Sequence, residues 1–213
     1  MPMENSIAIP EWIPFYGTKK LKVANPLSKI IVREIGELTQ EYYGFTGKAI
    51  RPRQTRLIKD RLSHLGKKQM KGKPSYQVYA NGISENLRQE NGGPFRNAEW
   101  LYDMHWYLDG EEPYTTTEVP LMMECEWNPV HRKDRKKVPF SGIKYDFQKL
   151  LLANASLRLM IFKCKKTSDL IDLHKYFTCN ISGYKHLTAG SMFLFIAFPM
   201  DQTTFSYCEI TKF

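Results

Sequence analysis

The segment from residue 119 to residue 165 constrains the fold most, because it switches between two hydrophobic patterns. Residues 119–127 (VPLMMECEW) predict a strand, and residues 141–155 (SGIKYDFQKLLLANA) repeat apolar side chains at helical spacing, with Ser141 as the expected N-cap. Residues 157–165 (LRLMIFKCK) form a nearly continuous apolar run, typical of a strand buried on both faces. Strand, helix and strand in so few residues predict a βαβ unit with parallel strands. The fold class is therefore α/β.

Shorter patterns flank this unit. Residues 27–43 (LSKIIVREIGELTQEYY) predict one amphipathic helix between Pro26 and Gly44, and residues 55–66 (TRLIKDRLSHLG) predict a second. The other predicted elements are strands at 76–80 (YQVYA) and 98–110 (AEWLYDMHWYLDG), a helix at 167–178, and two closing strands (SMFLFIAF and TFSYCEI). The predicted order is helix, three strands in a meander, helix, strand, and then helix and two strands.

The length of 213 residues and the hydrophobic content of 42% suit one domain. We expect residues 1–94 to supply the N-terminal helix and a basic segment that leads into the sheet. Residues 95–165 would hold the core motif, and residues 166–213 the helix and strands that complete the sheet. The formal charge of +9 favours a polyanionic partner.

Cysteine usage and hydropathy predict a cytoplasmic protein. The four cysteines contain no CxxC pair, and Cys125 and Cys164 lie in apolar runs that suit buried, reduced thiols. The first residues, MPMENSIAIPEW, lack the pattern of a signal peptide. The longest apolar run, residues 192–198, is far shorter than the roughly 20 residues that span a bilayer.

Acidic side chains in apolar company are the candidate functional residues. Glu124 and Glu126 are two apart in a predicted strand and therefore point to the same face, where like charges raise each other's pKa. The preceding predicted strand contains Asp103, which can face the two glutamates if the strands pair. Three carboxylates from two strands suit Mg²⁺ or Mn²⁺, which can polarise a phosphate and generate hydroxide near neutral pH.

At these residues the sequence resembles the PD-(D/E)XK nuclease superfamily. The resemblance spans about residues 95–165 and rests on Asp103, on Glu124-Cys125-Glu126, and on a helix that contains Asp146-Phe147-Gln148-Lys149. It implies a restriction-endonuclease-like αβββαβ core, with a mixed central sheet flanked by helices. It also implies Mg²⁺-dependent cleavage of DNA, with Asp103 and Glu124 as metal ligands.

Glu126 departs from the pattern of that family, because it stands where the family usually has a lysine that steadies the attacking water or the developing charge. Some members carry Glu at this position, which makes Glu126 an extra ligand or a general base. Lys149 on the following helix and Lys163 near the end of the next strand are both candidates for the missing positive charge. The predicted catalytic set is Asp103, Glu124, Glu126 and Lys149, and the predicted metal set is Asp103, Glu124 and Glu126.

Lys and Arg side chains in two segments, together with one helix residue, are the candidate contacts to a nucleic-acid backbone, which give affinity without sequence choice. They are Arg51, Arg53, Arg56, Lys67, Lys68, Arg132, Lys133 and Gln148. A purely solvated basic surface is the alternative. A homodimer is a further expectation, because one site per chain would need two chains to cut both strands of a duplex.

Structural alternatives exist for the acidic residues as well. The glutamates suit a solvated edge strand, and Asp103 suits a hydrogen-bonded strand acid or one half of a salt bridge. His105 shares the predicted strand face of Asp103 and could join a site or be a core residue. For the whole chain, the alternative to a nuclease is a catalytically inactive nuclease-fold module that binds nucleic acid or a protein partner.

Overall fold

The computed structural model describes residues 11–17, 20–46, 50–69, 71, 76–83, 100–112, 115–130 and 138–213. In that part of the chain, five helices flank one mixed sheet of seven strands. The helices are α1 (Pro26–Glu37), α2 (Thr39–Gly44), α3 (Ile50–Gln69), α4 (Ser141–Leu152) and α5 (Asp169–Gly183). The strands are β1 (Ile13–Pro14), β2 (Tyr76–Ala80), β3 (Met104–Asp109), β4 (Thr116–Glu126), β5 (Leu157–Cys164), β6 (Met192–Pro199) and β7 (Ser206–Thr211). The predicted α/β class is confirmed.

The sheet has the strand order β1-β7-β6-β5-β4-β3-β2. Strands β2, β3 and β4 form the predicted antiparallel meander, and β4 runs parallel to β5 across the helix α4. Strand β6 is parallel to β5, and β7 returns antiparallel beside β6. The prediction of a βαβ unit at residues 119–165 is therefore confirmed.

The two faces of the sheet are covered by different helices. Helices α1, α2 and α3 pack against one face, in a core to which Leu121, Met123 and Leu159 contribute. Helices α4 and α5 pack against the other face, in a second core that contains Phe147 and Phe177. Each strand of the centre is thus buried on both sides, which explains its nearly continuous apolar sequence.

The first helix is interrupted, contrary to the prediction of one helix over residues 27–43. Asn25 caps α1 by accepting hydrogen bonds from the backbone of Leu27 and Ser28, at 2.8 and 3.1 Å. At Leu38 the backbone N–H bonds to the carbonyl of Ile35, and this tight turn ends α1. Helix α2 buries Tyr42 against the sheet, where its ring stacks on that of Phe198. Tertiary packing thus overrides the continuous helical pattern.

Two predicted boundaries differ near the acidic residues. Strand β3 begins at Met104 and not at residue 98, so Asp103 precedes the strand. Its carboxylate replaces the missing backbone pairing by accepting a hydrogen bond from the N–H of Cys125 at 2.9 Å. Ser141 is the first residue of α4 and not its cap, because Phe140 occupies the cap position in the left-handed conformation, with φ of 59°. Among the described helices, none is both long and apolar enough to cross a membrane.

Candidate functional site

The carboxyl end of β4 carries the two predicted glutamates on the face that α4 covers. Glu124 is 1% exposed and is the register partner of Met160 on β5, whereas Glu126 is partly buried and is the partner of Phe162. Residues paired across strands share a face, so both carboxylates point into the space between the sheet and α4. The alternative of a solvated edge strand is excluded, because β4 lies inside the sheet between β3 and β5.

Glu124 forms an ion pair with the predicted lysine on α4. The Nζ of Lys149 lies 2.8 Å from Oε2 of Glu124 and 3.0 Å from Oδ1 of Asp146. The other oxygen of Glu124, Oε1, is buried and has no hydrogen-bond partner among the described residues. Burial, reinforced by the charge of Asp103, raises the pKa of Glu124 to about 9. Burial opposes the charge on Lys149, but Glu124 and Asp146 outweigh it and raise the pKa of Lys149 above its ordinary value.

Glu126 is associated with Asp146 on the first turns of α4. Its Oε1 accepts a hydrogen bond from the backbone N–H of Asn128 at 2.5 Å, and its carboxyl group hydrogen-bonds that of Asp146. Burial raises the pKa of Glu126 to about 7, although the bond from Asn128 opposes the shift. Burial also raises the pKa of Asp146. Their mutual hydrogen bond raises the pKa of Glu126 and lowers that of Asp146, so Glu126 is the member of the pair that holds the proton.

Asp103 is held from the opposite side of the sheet by Lys59 of α3. The Nζ of Lys59 lies 2.8 Å from Oδ1 of Asp103, and the lysine side chain is only 6% exposed. The same amine reaches the carbonyl oxygen of Asn81 at 3.4 Å. With Oδ2 bound by Cys125, both oxygens of Asp103 are fixed. Asp103 is therefore one half of a salt bridge, as the structural alternative expects. Its carboxylate also interacts electrostatically with Glu124 and so belongs to the same cluster.

Gly142 holds the start of α4 against the end of β4. A Cβ at this position would overlap the carbonyl oxygen of Asn128 and would lie 3.1 Å from Oε2 of Glu126. The backbone N–H of Gly142 also donates to the carbonyl of Pro129 at 3.3 Å. A side chain here would push α4 away from the strand. The glycine therefore sets the distance between the α4 residues and the glutamates.

The cluster as a whole contains four carboxylates, Asp103, Glu124, Glu126 and Asp146, and the two lysines Lys59 and Lys149. In the described parts of the chain, no group of three or more His, Cys, Asp or Glu side chains has an arrangement that could bind a metal ion. The lysine amines hold Asp103 and Glu124 in their place. The unpartnered Oε1 of Glu124, with the charge of Asp103 close to it, is the feature that fits a bound cation.

His105 is not part of this cluster. It is fully buried and stacks between Trp100, at a centroid distance of 4.2 Å, and Tyr79, at 4.9 Å. Neither ring nitrogen has a hydrogen-bond partner in the described ranges, and burial lowers the pKa of His105 to about 3. The imidazole is therefore a neutral core ring, in agreement with the structural alternative for this residue.

The predicted nucleic-acid contacts lie on two helices. Arg51, Arg53, Arg56, Lys67 and Lys68 all lie on α3. The guanidinium of Arg53 covers the ring of Phe45 at 4.4 Å, and Arg56 pairs with Asp60 at 3.3 Å. Gln148 is exposed on α4 and hydrogen-bonds Tyr176 of α5. Arg132 and Lys133 lie outside the described residues.

Two members of the cluster were missed by the sequence reasoning, and each has a recognisable signal. Asp146 neighbours the apolar positions Ile143 and Phe147 on α4, so an acid lies at the border of a buried helical stripe. Lys59 lies on the buried stripe of α3, between Ile58 and Leu62. A charged residue on an apolar helix face predicts a partner inside the protein. Lys163, the second candidate for the missing charge, is on the opposite sheet face from Glu126, because its neighbour Phe162 is the register partner of that glutamate.

An apolar cavity of about 830 Å³ lies apart from the cluster, between the N-terminal segment and α5. Its lining includes Trp12, Leu170 and Ile171, and none of the four carboxylates of the cluster takes part in it.

Comparisons of the chain with family models, with curated proteins and with solved structures gave no match. Any functional conclusion therefore depends on the arrangement of the side chains.

Proposed function

We propose that this chain is a Mg²⁺- or Mn²⁺-dependent nuclease that hydrolyses phosphodiester bonds of nucleic acid, with DNA as the substrate. The observation that carries the proposal is the surrounding of Glu124. One oxygen of this buried carboxylate is held by Lys149, and the other has no partner although the charge of Asp103 lies close to it. Leaving a buried carboxylate oxygen unsatisfied costs about 1–3 kcal/mol or more, which a bound cation would offset.

The order of the elements supports a restriction-endonuclease-like core. Helix α1 precedes the antiparallel strands β2, β3 and β4, and α4 then leads into β5, which is parallel to β4. With β1 ahead of α1, and with α2 and α3 between α1 and β2, the described elements contain the αβββαβ order of that superfamily. The carboxylates lie at the carboxyl end of a parallel strand, the usual place for ligands in α/β sheets.

In the proposed site, Asp103 and Glu124 would hold the metal ion, and Glu126 would lie beside them. The ion would polarise the phosphate and make a bound water more acidic. Glu126 has a pKa of about 7 and accepts a proton from the attacking water, whose oxygen bonds to phosphorus as the bond to the leaving oxygen breaks. Lys149 stays protonated and supplies the positive charge that the family places at position 126.

A catalytically inactive nuclease-fold module is the second candidate, and a specific observation favours it. Lys59 and Lys149 already neutralise Asp103 and Glu124 within hydrogen-bond distance. A module of this kind would keep the lysines as permanent counter-ions, would bind nucleic acid or a protein partner, and would not need a metal ion. The two candidates therefore differ in whether a metal ion binds at Glu124.

Two measurements distinguish the candidates. Purified protein is incubated with plasmid, linear and single-stranded DNA and with RNA, in the presence of Mg²⁺ or Mn²⁺, beside Glu124→Gln. The nuclease proposal expects cleavage that requires the metal ion and Glu124; equal cleavage by the variant contradicts it. Calorimetric titration with Mn²⁺ is the second measurement. Metal binding that Glu124→Gln abolishes supports the nuclease, whereas no binding and no cleavage support the inactive module.

A further inference from the structure

Arg51, on the first turn of α3, is connected to the carboxylate cluster through the loop that follows β4. Its guanidinium donates a hydrogen bond to the side-chain oxygen of Asn128. The backbone N–H of Asn128 in turn donates to Glu126 at 2.5 Å. Arg51 is exposed, and its charge therefore lies at the rim of the cluster and is open to solvent.

Lys163 lies near the carboxyl end of the neighbouring parallel strand, β5. The residue before it, Phe162, is the register partner of Glu126, so Lys163 is level with the end of β4. Its side chain projects to the sheet face that α3 covers, the same side from which Arg51 approaches. It is only partly buried and remains in reach of a ligand from solvent.

These two cations are close to each other and have no acidic partner in the part of the chain that the structure describes. Burial and the nearby Arg51 guanidinium hold the pKa of Lys163 below its ordinary value. Among the described residues, no carboxylate forms an ion pair with Arg51 or Lys163, although Arg56 and Arg61 on the same helix have acidic partners. Like charges side by side without a counter-ion raise the free energy of the protein, and a bound anion lowers it.

A buried donor lies at the same strand end. The indole N–H of Trp127, the residue after Glu126, is buried and has no acceptor among the described residues. Its ring contacts that of Phe198, the register partner of Lys163, at a centroid distance of 6.0 Å. Because this N–H is closed to solvent, the binding chemistry rests on the two cations, which match the charge and acceptor oxygens of a phosphate group.

We propose that Arg51 and Lys163 form a phosphate-binding subsite that holds the backbone of the nucleic-acid substrate across the carboxyl ends of β4 and β5. The inference deepens the proposed function and rests on it, because the ligand is the proposed substrate. The subsite and the carboxylate cluster lie on opposite sheet faces at the same strand end, so the bound strand passes over that end. The phosphate held by Arg51 and Lys163 is therefore a neighbour of the one that is cleaved.

The test measures binding without cleavage. A fluorescently labelled DNA duplex is titrated with the protein in EDTA at several salt concentrations, and Arg51→Gln/Lys163→Gln is compared with the unaltered chain. Loss of two phosphate contacts is expected to weaken binding about tenfold or more and to make the slope of log K against log salt shallower by about 1.8. The same affinity and slope in the double variant would overturn the proposal, as would the absence of DNA binding by the unaltered chain.

Matched variants separate this result from misfolding and from failure of the nuclease proposal. Arg61→Gln removes a charge from the same helix, but Arg61 is paired with Glu34 and Glu37 and is not one of the predicted nucleic-acid contacts, so a smaller change is expected. Arg51→Lys/Lys163→Arg keeps both charges and should restore the slope. If this rescue fails while thermal unfolding is unchanged, the subsite is wrong. Cleavage that is insensitive to Glu124→Gln, by contrast, overturns only the metal-dependent chemistry.

Discussion

Glu124 on β4 and His105 on β3 are both buried polar side chains on the same sheet face, yet their surroundings differ. Glu124 has Lys149 and the charge of Asp103 beside it, whereas His105 has the rings of Trp100 and Tyr79. Burial favours the neutral form of both groups, so the pKa of Glu124 rises and that of His105 falls. Charged neighbours, and not burial alone, mark the candidate site.

The largest effect is expected for chemistry. Glu124→Gln should lower kcat/KM for metal-dependent DNA cleavage by at least about 10³-fold, because it removes the carboxylate that would bind the metal ion in exchange for the proton that Glu124 holds in the metal-free chain. His105→Phe should leave kcat/KM unchanged, because a neutral ring replaces another in the stack. Both variants are compared in a plasmid-nicking assay. A large loss of kcat/KM in His105→Phe would show that the surroundings of His105, and not only those of Glu124, contribute to cleavage.

Lys149→Met should lower kcat/KM by about 10²–10³-fold, the usual cost of removing a group that stabilises developing charge. It should also lower the free energy of unfolding by about 1–3 kcal/mol, because the partner oxygen of Glu124 becomes unsatisfied. The double variant Lys149→Met/Glu124→Gln should recover part of this stability, and chemical denaturation measures it. A double variant less stable than Lys149→Met would show that the pair is not the source of the loss.

Gly142→Ala should destabilise the protein by about 1–3 kcal/mol, because the added Cβ overlaps the backbone of Asn128. The change displaces the start of α4 and should reduce cleavage, while the aromatic circular dichroism of the His105 stack stays unchanged. Gly183→Ala is the matched control, since a Cβ there meets no atom within 4 Å. Equal thermal stability of the two variants would contradict the proposed contact.

The pH dependence of stability should have opposite signs for the two buried groups. The pKa of Glu124 is raised from 4.5 to about 9, so the folded chain binds more protons than the unfolded chain in that range. Its contribution to stability is therefore full below pH 4.5 and is lost as the pH rises through 9. Glu124→Gln should flatten the decrease in Tm between pH 5 and 9, by roughly a few degrees.

For His105 the pKa is lowered from 6.5 to about 3, so the folded chain binds fewer protons than the unfolded chain between these values. Its contribution is present above pH 6.5 and is lost as the pH falls toward 3. His105→Phe should therefore flatten the acid side of the Tm profile and leave the alkaline side unchanged. The opposite result would contradict this contrast: a Tm profile flattened on the alkaline side by His105→Phe and on the acid side by Glu124→Gln.

The sequence predicted those parts of the fold that depend on local periodicity. The run from residue 119 to residue 165 predicted β4, α4 and β5 because each has its own hydrophobic spacing. The break at Leu38 and the short strand β1 were not predictable, because packing of Tyr42 and pairing with β7 determine them. Both depend on contacts between residues that are distant in the sequence.

In the candidate site, too, the features set by local sequence were predictable, and those set by contacts between distant residues were not. Glu124 and Glu126 could be placed on one face because alternation in a strand is local. Lys59 could not be assigned to Asp103 from spacing, since the two are 44 residues apart and meet only in the folded chain. Lys149 and Lys163 were both candidates for the missing positive charge, and the structure separates them. Lys149 lies 2.8 Å from Glu124, whereas Lys163 lies on the other sheet face.

The carboxylate of Asp103 takes the place of a backbone carbonyl, since it accepts the N–H of Cys125 where the pairing of β3 has ended. The solvent exchange of one main-chain amide hydrogen in the middle of the protein therefore depends on a side chain. Any ligand that draws Asp103 away from this N–H should speed deuterium uptake at Cys125, while the amide of Met123 keeps its protection. Amide exchange at a single position thus becomes a sensor for occupancy of the carboxylate cluster.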